Sequence, residues 1–291
     1  MSHGPLRTLL FTPGNHERRV AKALEAGADA VILDLEDAVA IAEKPAARHA
    51  IVEALQRPRS CPAYVRVNAM TTPFCFGDLT TVVGPWLDGI VLPKVEDPGQ
   101  LATIDWLLGA LEREREMRPG AIDLLPLVES ASGHGALGAI AAAGTRVRRL
   151  AFGAGDYTLD LGIEWTREET ELLPVRLEMV RASRAGGLEA PIDTVFLGLD
   201  APDAFAGSCA AVRALGFQGK LVIHPTQVAP ANAAFTPSDT EVAFARRVVE
   251  AFDAAEAAGA AAIEVDGNFV DYPVAEKARR TLALAEAIAI T

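Results

Sequence analysis

The sequence predicts an α/β protein, a (β/α)8 TIM barrel with a C-terminal helical extension, and two observations carry that prediction. Eight short apolar, β-branched runs recur, each closed by Gly, Pro or a polar residue: 7–14, 30–37, 63–69, 89–96, 123–130, 149–156, 194–200 and 219–225. They lack clean period-two alternation, which is how strands buried on both faces read. Segments rich in Ala, Leu, Glu and Arg with helical period stand between them, and eight strand–helix units match a closed barrel. An open doubly wound sheet is the alternative. Such a sheet usually carries a phosphate fingerprint in its first turn, and FTPGNHE is not G-x-G-x-x-G.

Taken in order, the first helix, HERRVAKALEAG, is expected to begin after Asn15 as N-cap and to stop at Gly27. EKPAARHAIVEAL, PGQLATIDWLLGALERERE and GALGAIAAAG read as helices between later strands. Residues 1–230 are expected to form the barrel. Residues 231–291 are expected to form an extension that packs on the barrel mouth or on a neighbouring subunit: a helix over DTEVAFARRVVEAFDAAEAAGA, a short hairpin or turn at IEVDGNFVDYP, and a last helix.

Of the 291 residues half are apolar, enough for a sizeable core, and the net charge of -12 argues against nucleic acid as a partner. Three cysteines without C-x-x-C spacing suggest neither a disulfide framework nor a zinc knuckle, so a reducing, cytoplasmic setting is expected. The N-terminal stretch MSHGPLRTLLFTPGN is too short in its apolar part for a secretory signal, and no membrane role is read.

In a barrel all strand C-termini open on one face, where barrel enzymes do their chemistry. Standing there are Asn15; Asp34, Glu36 and Asp37; Arg66 and Asn68; Lys94 and Glu96; Glu129 and Ser130; Asp156; Asp200; and His224. A ring of carboxylates raises its own pKa values unless a counter-charge is present. A hard divalent cation helped by Arg66 and Lys94 answers that need, and two carboxylates plus water suit Mg2+, with Mn2+ as the alternative ion. Asp37 or Ser130 could equally cap a following helix. His224 in IHP reads as a hydrogen-bonded structural residue rather than a ligand, and no serine-hydrolase, zincin or Walker motif occurs.

The strand ends also spell an ordered set: RTLLFTPGN, AVILDLEDAV with KPAAR, VRVNA, VLPKVE, PLVESASG, FGAGDYTLDLG, IHPTQV and FVDYP. Over residues 7 to 290 this set resembles the citrate lyase beta-subunit-like proteins of the HpcH/HpaI aldolase superfamily, which include malyl-CoA and citramalyl-CoA lyases. The resemblance implies a homotrimer or hexamer, Mg2+ held by Glu129 and Asp156, and a coenzyme A thioester in the mouth. It implies Arg66 as substrate contact and Asp271, supplied by a neighbouring subunit, as the residue that handles the proton at the thioester α-carbon. Coenzyme A contacts would fall on Phe11, Arg18, Lys22 and the main chain of Leu221 and Val222; some relatives have Tyr where Phe11 stands. Glu36, Asp37 and Lys94 are then expected to stand around the direct ligands, with Glu36 and Asp37 holding metal-bound waters and orienting Arg66 or Lys94. The reaction implied is cleavage of a 3-hydroxy-carboxyacyl-CoA to a 2-oxo acid and acetyl-CoA or a homologue. A malyl-CoA thioesterase, a CoA-independent aldolase, a citrate lyase beta-type subunit acting with an acyl-carrier partner and a non-catalytic binding module are the competing readings.

Overall fold

In the computed structural model, which describes residues 4–290, eight parallel strands close into a barrel in chain order. They are β1 (Thr8–Pro13), β2 (Ala30–Asp34), β3 (Ala63–Arg66), β4 (Gly89–Leu92), β5 (Asp123–Val128), β6 (Ala151–Phe152), β7 (Ile192–Asp193) and β8 (Gly219–Val222). The ring closes where Leu9 and Leu10 of β1 pair with Leu221 and Val222 of β8. The connecting helices are α1 (Glu17–Leu24), α2 (Lys44–Leu55), α3 (Cys75–Val82), α4 (Pro98–Glu114), α5 (Ala131–Gly135), α6 (Leu137–Ala141), α7 (Ala154–Leu161), α8 (Leu173–Ala185), α9 (Pro202–Leu215) and α10 (Val228–Phe235). The strongest start signal is at α4, where Asp97 caps the first turn and Gln100 answers it in a capping box ahead of Pro98 at N1.

The barrel interior is filled by side chains, among them Leu9, Ile32, Tyr64, Val91, Leu125 and Ile192. Toward the strand N-termini the Tyr64 hydroxyl donates to Asp123 Oδ2 at 2.8 Å and Arg149 Nη1 donates to the same oxygen at 2.7 Å. Gly89 makes room for this plug, since a Cβ there would stand 2.3 Å from Tyr64 Cε1. Between barrel and helices, Asp193 of β7 lies in register with Lys220 of β8 and takes their ion pair together with Arg176 of α8. Both Asp193 and Lys220 are fully buried.

Three local expectations are corrected. The seventh strand is Ile192–Asp193, not 194–200: Thr194 Oγ1 accepts the Ala154 amide, and Leu197 and Leu199 are left exposed in a connecting loop. Its β-branched start and apolar alternation imitate a strand that has no partner to complete it. Asn15 does not cap α1; His16 is the N-cap without a side-chain bond, and Asn15 Nδ2 donates instead to Glu43 Oε2 at 2.5 Å. Residues 135–144 do not form one helix: α5 and α6 are separate short pieces joined at Ala136, in a segment weakened by several glycines.

Leu6–Ala233 is one compact unit, and the chain from Ala234 onward belongs to a second. The second unit contains α11 (Asp239–Ala257), an antiparallel hairpin of β9 (Ala262–Val265) and β10 (Asn268–Asp271), and α12 (Tyr272–Ile290). The hairpin turns at Asp266 and Gly267, with φ of 51° and 78°, the left-handed pair that a tight two-residue turn requires. Val248, Phe252, Val270 and Ala275 form its core, with Phe252 and Tyr272 edge to face at 5.1 Å. Among the described residues no helix is long and apolar enough to cross a membrane.

Candidate active site

The acidic end of β2 is organised around Arg66, the last residue of β3. Asp34 and Arg66 are register partners, and Asp34 takes the guanidinium bidentately, from Nε at 2.7 Å and Nη2 at 2.6 Å. Glu36 Oε2 lies 2.9 Å and Asp37 Oδ2 3.5 Å from Arg66 Nη1. Backbone amides of Glu36 and Ala38 donate back to Asp34, so its carboxylate fixes the loop as well as the arginine. Burial alone would raise the Asp34 pKa, but Arg66 and these amides hold it below the ordinary aspartate value. Phe11 of β1 packs its ring 5.0 Å from Arg66 Cζ.

Behind this loop Lys44 is buried and donates to the carbonyls of Leu35 and Glu36 at 2.7 and 2.6 Å. Asn68 Nδ2 holds the Leu35 carbonyl and Asp78 Oδ2, and Arg48 completes the chain to Asp78 at 2.7 Å. The lysine and arginine of KPAAR thus brace the acidic loop from the first turns of α2.

Glu129 follows the last residue of β5 and is buried, 4% exposed. Its Oε1 accepts the Lys94 amide at 2.9 Å. Burial, then the like charges of Glu36 and Asp156, push its pKa up to about 8, against the pull of Arg66. Lys94 has φ 54°, a left-handed conformation that costs a non-glycine residue about 1 to 2 kcal/mol. That turn lets one residue aim its amide at Glu129 and its ammonium at Glu36 Oε1 and Asp156 Oδ2, both at 3.3 Å. Burial opposes the Lys94 charge, yet Glu36 and Asp156 raise its pKa above the ordinary lysine value.

Asp156 does not end a strand: β6 stops at Phe152, and Asp156 sits in the first turn of α7. The approach of α7 to α5 sets its position. Asp160 Oδ2 accepts the Ala131 amide at 2.8 Å, the Tyr157 hydroxyl lies 2.9 Å from His134 Nδ1, and Ser130, which caps α5, donates to Glu96 at 2.6 Å.

Arg66, Glu36, Asp37, Lys94, Glu129 and Asp156 are therefore joined by one electrostatic network in the barrel unit. Among the described residues no group of three or more His, Cys, Asp and Glu side chains is arranged to hold a metal ion. The donor set nevertheless fits Mg2+, which usually takes one or two carboxylates and keeps several waters. Glu129 and Asp156 would supply the carboxylates. Glu36 Oε2, buried and within ion-pair range of Arg66 but without an aligned hydrogen bond, leaves a further oxygen able to hold a metal-bound water.

A cavity of about 500 Å3 opens at the mouth, lined by Phe11, Arg19, Asp34, Arg66, Val195 and Ile223 among others. From α1 it is lined by Arg19, while Arg18 and Lys22 are exposed on the same helix outside its lining. Leu221 and Val222 are buried in β8, and the exposed residue beside them is Ile223. His224 is exposed and caps the short turn Pro225–Gln227, and Asp200 lies exposed in the loop before α9. Asp271 belongs to the second unit, at the end of β10, where its Oδ1 accepts the Val274 amide at 3.2 Å and caps α12.

The comparisons with known proteins identify the family. The citrate lyase subunit beta of Leuconostoc mesenteroides is 36% identical over 97% of this chain and 93% of its own. The L-malyl-CoA/beta-methylmalyl-CoA lyase of Cereibacter sphaeroides is 33% identical over 98% of this chain and 96% of its own. A crystal structure of the CitE protein of Mycobacterium tuberculosis in complex with magnesium, acetoacetate and coenzyme A superposes with a TM-score of 0.78 at 31% identity, covering 98% of this chain and 99% of that one. The family model described as HpcH/HpaI aldolase/citrate lyase matches residues 7–225, and the chain belongs to that family.

Proposed function

We propose that this protein is a Mg2+-dependent carbon–carbon lyase that cleaves a 3-hydroxy-carboxyacyl-CoA of the malyl-CoA or citramalyl-CoA type to a 2-oxo acid and acetyl-CoA or a homologue. The observation that carries the reading is the buried Glu129 carboxylate, which accepts the Lys94 amide at 2.9 Å while the Lys94 ammonium reaches Asp156, and which burial and the like charges of Glu36 and Asp156 push up to about 8 against the pull of Arg66. A divalent cation would offset the burial and like-charge repulsion that raise Glu129, and relatives that this chain covers almost end to end are named as lyases of CoA esters or as a citrate lyase subunit. When bound, the ion supplies Lewis-acid polarisation of the hydroxyl and carboxylate oxygens of the acid portion.

The chain's own residues do the rest. Arg66, held by Asp34 and Glu36, presents a fixed guanidinium to the thioester oxygen on which negative charge develops, a role worth about 10^2 to 10^3 in rate. Asp271, from a neighbouring subunit of a homotrimer or hexamer, returns a proton to the α-carbon as the acyl-CoA leaves. Phe11, Arg18, Lys22 and the main chain at Leu221 and Val222 are the proposed coenzyme A contacts, and the protein works in the cytoplasm.

The purified protein, assayed with a panel of CoA thioesters with Mg2+ and with chelator, products read by mass spectrometry, tests this reading. Cleavage to a 2-oxo acid and a shorter acyl-CoA is expected; release of free CoA and an intact hydroxy acid would make it a thioesterase instead. The identity to a citrate lyase subunit beta favours a second reading, a subunit acting on an acyl-carrier thioester. Turnover only on the carrier-bound acyl group would establish that one.

A further inference from the structure

Lys94 touches both proposed metal carboxylates, and it does so through different atoms. Its amide donates to Glu129 Oε1 at 2.9 Å, and its ammonium stands 3.3 Å from Asp156 Oδ2 and 3.3 Å from Glu36 Oε1. The amide is fixed by the backbone. The ammonium is on a flexible stem, and its side chain is 40% exposed at the mouth. A divalent cation on Asp156 would repel the ammonium that stands on its Oδ2, and of the two Lys94 contacts only the ammonium is free to leave.

We propose that Lys94 is an exchangeable counter-ion: its ammonium competes with the divalent cation for Asp156 and, once displaced, swings on its stem to take the carboxylate of the anionic substrate, so that metal loads before substrate. This rests on the metal assignment above. The backbone supports it. The left-handed turn at Lys94 keeps the amide on Glu129 whether or not the ammonium moves, so the glutamate stays in place while its neighbour exchanges partners. Glu36 is not left without a counter-charge by the move, since it keeps Arg66 as a partner when the ammonium departs. Lys94 and Arg66 meet opposite oxygens of Glu36, so the released ammonium and the guanidinium lie on the same side of the site as the anionic ligand they would face.

The experiment is calorimetric titration of the full-length protein with Mn2+ and with Mg2+, in native form and as Lys94→Met, which keeps the stem. Lys94→Asn, a residue that tolerates positive φ, is carried alongside so that strain at this position does not decide the result. Both variants are expected to bind the ion about 5- to 20-fold more tightly than the native protein, because a competing charge has been removed. With the ion saturating, both are expected to bind pyruvate at least about 10-fold more weakly. A purely structural lysine predicts weaker metal binding or none of these changes, and either result overturns the proposal. If the native protein itself binds neither ion, the metal assignment fails and this inference falls with it; native binding without tightening in the variants overturns the inference alone.

Discussion

A Cβ on Gly153 would stand 2.4 Å from Glu129 Oε2 and 2.8 Å from Glu129 Cβ, so the missing side chain at 153 is the space in which the buried carboxylate sits. Gly153 has φ -114° and ψ 93°, a conformation open to any residue. Gly153→Ala is therefore expected to fold, with a native circular dichroism spectrum, yet to displace Glu129. A loss of about 10- to 100-fold in Mg2+ affinity should follow, as for other residues that orient a ligand. Unchanged metal binding would separate Glu129 from the metal site.

Asp34 holds Arg66 through two hydrogen bonds, while Glu36 and Asp37 meet the guanidinium only through Nη1. Asp34→Asn keeps the shape and removes the charge. The guanidinium then loses its fork, and a shift of its head group by about 1 Å is enough to cost about 100-fold in turnover. Stability should fall by about 3 kcal/mol, because a buried cation loses a principal partner. Steady-state kinetics and urea unfolding read the two effects separately; native turnover in this variant would show that Arg66 is positioned by Glu36 instead.

The barrel was legible in the sequence because its cause is local and repeated: seven of the eight strands lie within the apolar runs that end in Gly, Pro or charge. The seventh was not, since β7 is only Ile192–Asp193 and its one outward side chain, Asp193, is a buried acid that hydrophobic patterning treats as a break. The hairpin at Asp266–Gly267 was legible from its turn residues. At the site, the acids at strand ends could be named from the chain, but their pairing could not. That Asp34 rather than Glu36 takes Arg66 bidentately follows from the β2–β3 register, and that Lys94 reaches Asp156 follows from a positive φ; neither is written in residue types. Arg19 and Arg18 differ by about 100° around a helix, and only the docked direction of α1 decides which faces the mouth.

Asp271 and Glu129 lie in different compact units of the chain. If Asp271 acts on the site of a neighbouring subunit, Asp271→Ala and Glu129→Ala are each expected to lose at least about 100-fold in turnover, a range typical of a lost proton-transfer group. Mixed oligomers, formed by co-expressing the two variants with different tags and purifying through both, should regain activity. Some of their sites pair an intact Glu129 with an intact Asp271 from the adjacent copy. Mixed oligomers as inactive as the parents would mean that Asp271 serves its own chain or does not serve catalysis.

Asp193 is fully buried between Lys220, also fully buried, and Arg176. Burial alone would raise its pKa, but Lys220 and then Arg176 hold it below the ordinary aspartate value. A carboxylate depressed on folding contributes stability that is complete above the unfolded value of about 3.9 and is lost as pH falls through the folded value. Asp193→Asn, which cannot titrate, leaves Lys220 without its buried counter-charge and is expected to cost about 3 to 5 kcal/mol at pH 7. The gap between native and variant in urea unfolding should hold from pH 7 to pH 5 and narrow below about pH 4, because only the native protein has this charge to lose. Exchanging both partners, Asp193→Leu with Lys220→Met, should recover much of the loss, since an apolar pair of similar volume carries no desolvation penalty. A gap that widens as pH falls from 7 would mean that Asp193 is protonated in the folded protein, and the Lys220 contact would then be a hydrogen bond rather than an ion pair; a gap that does not change with pH would mean that folding leaves its pKa unshifted.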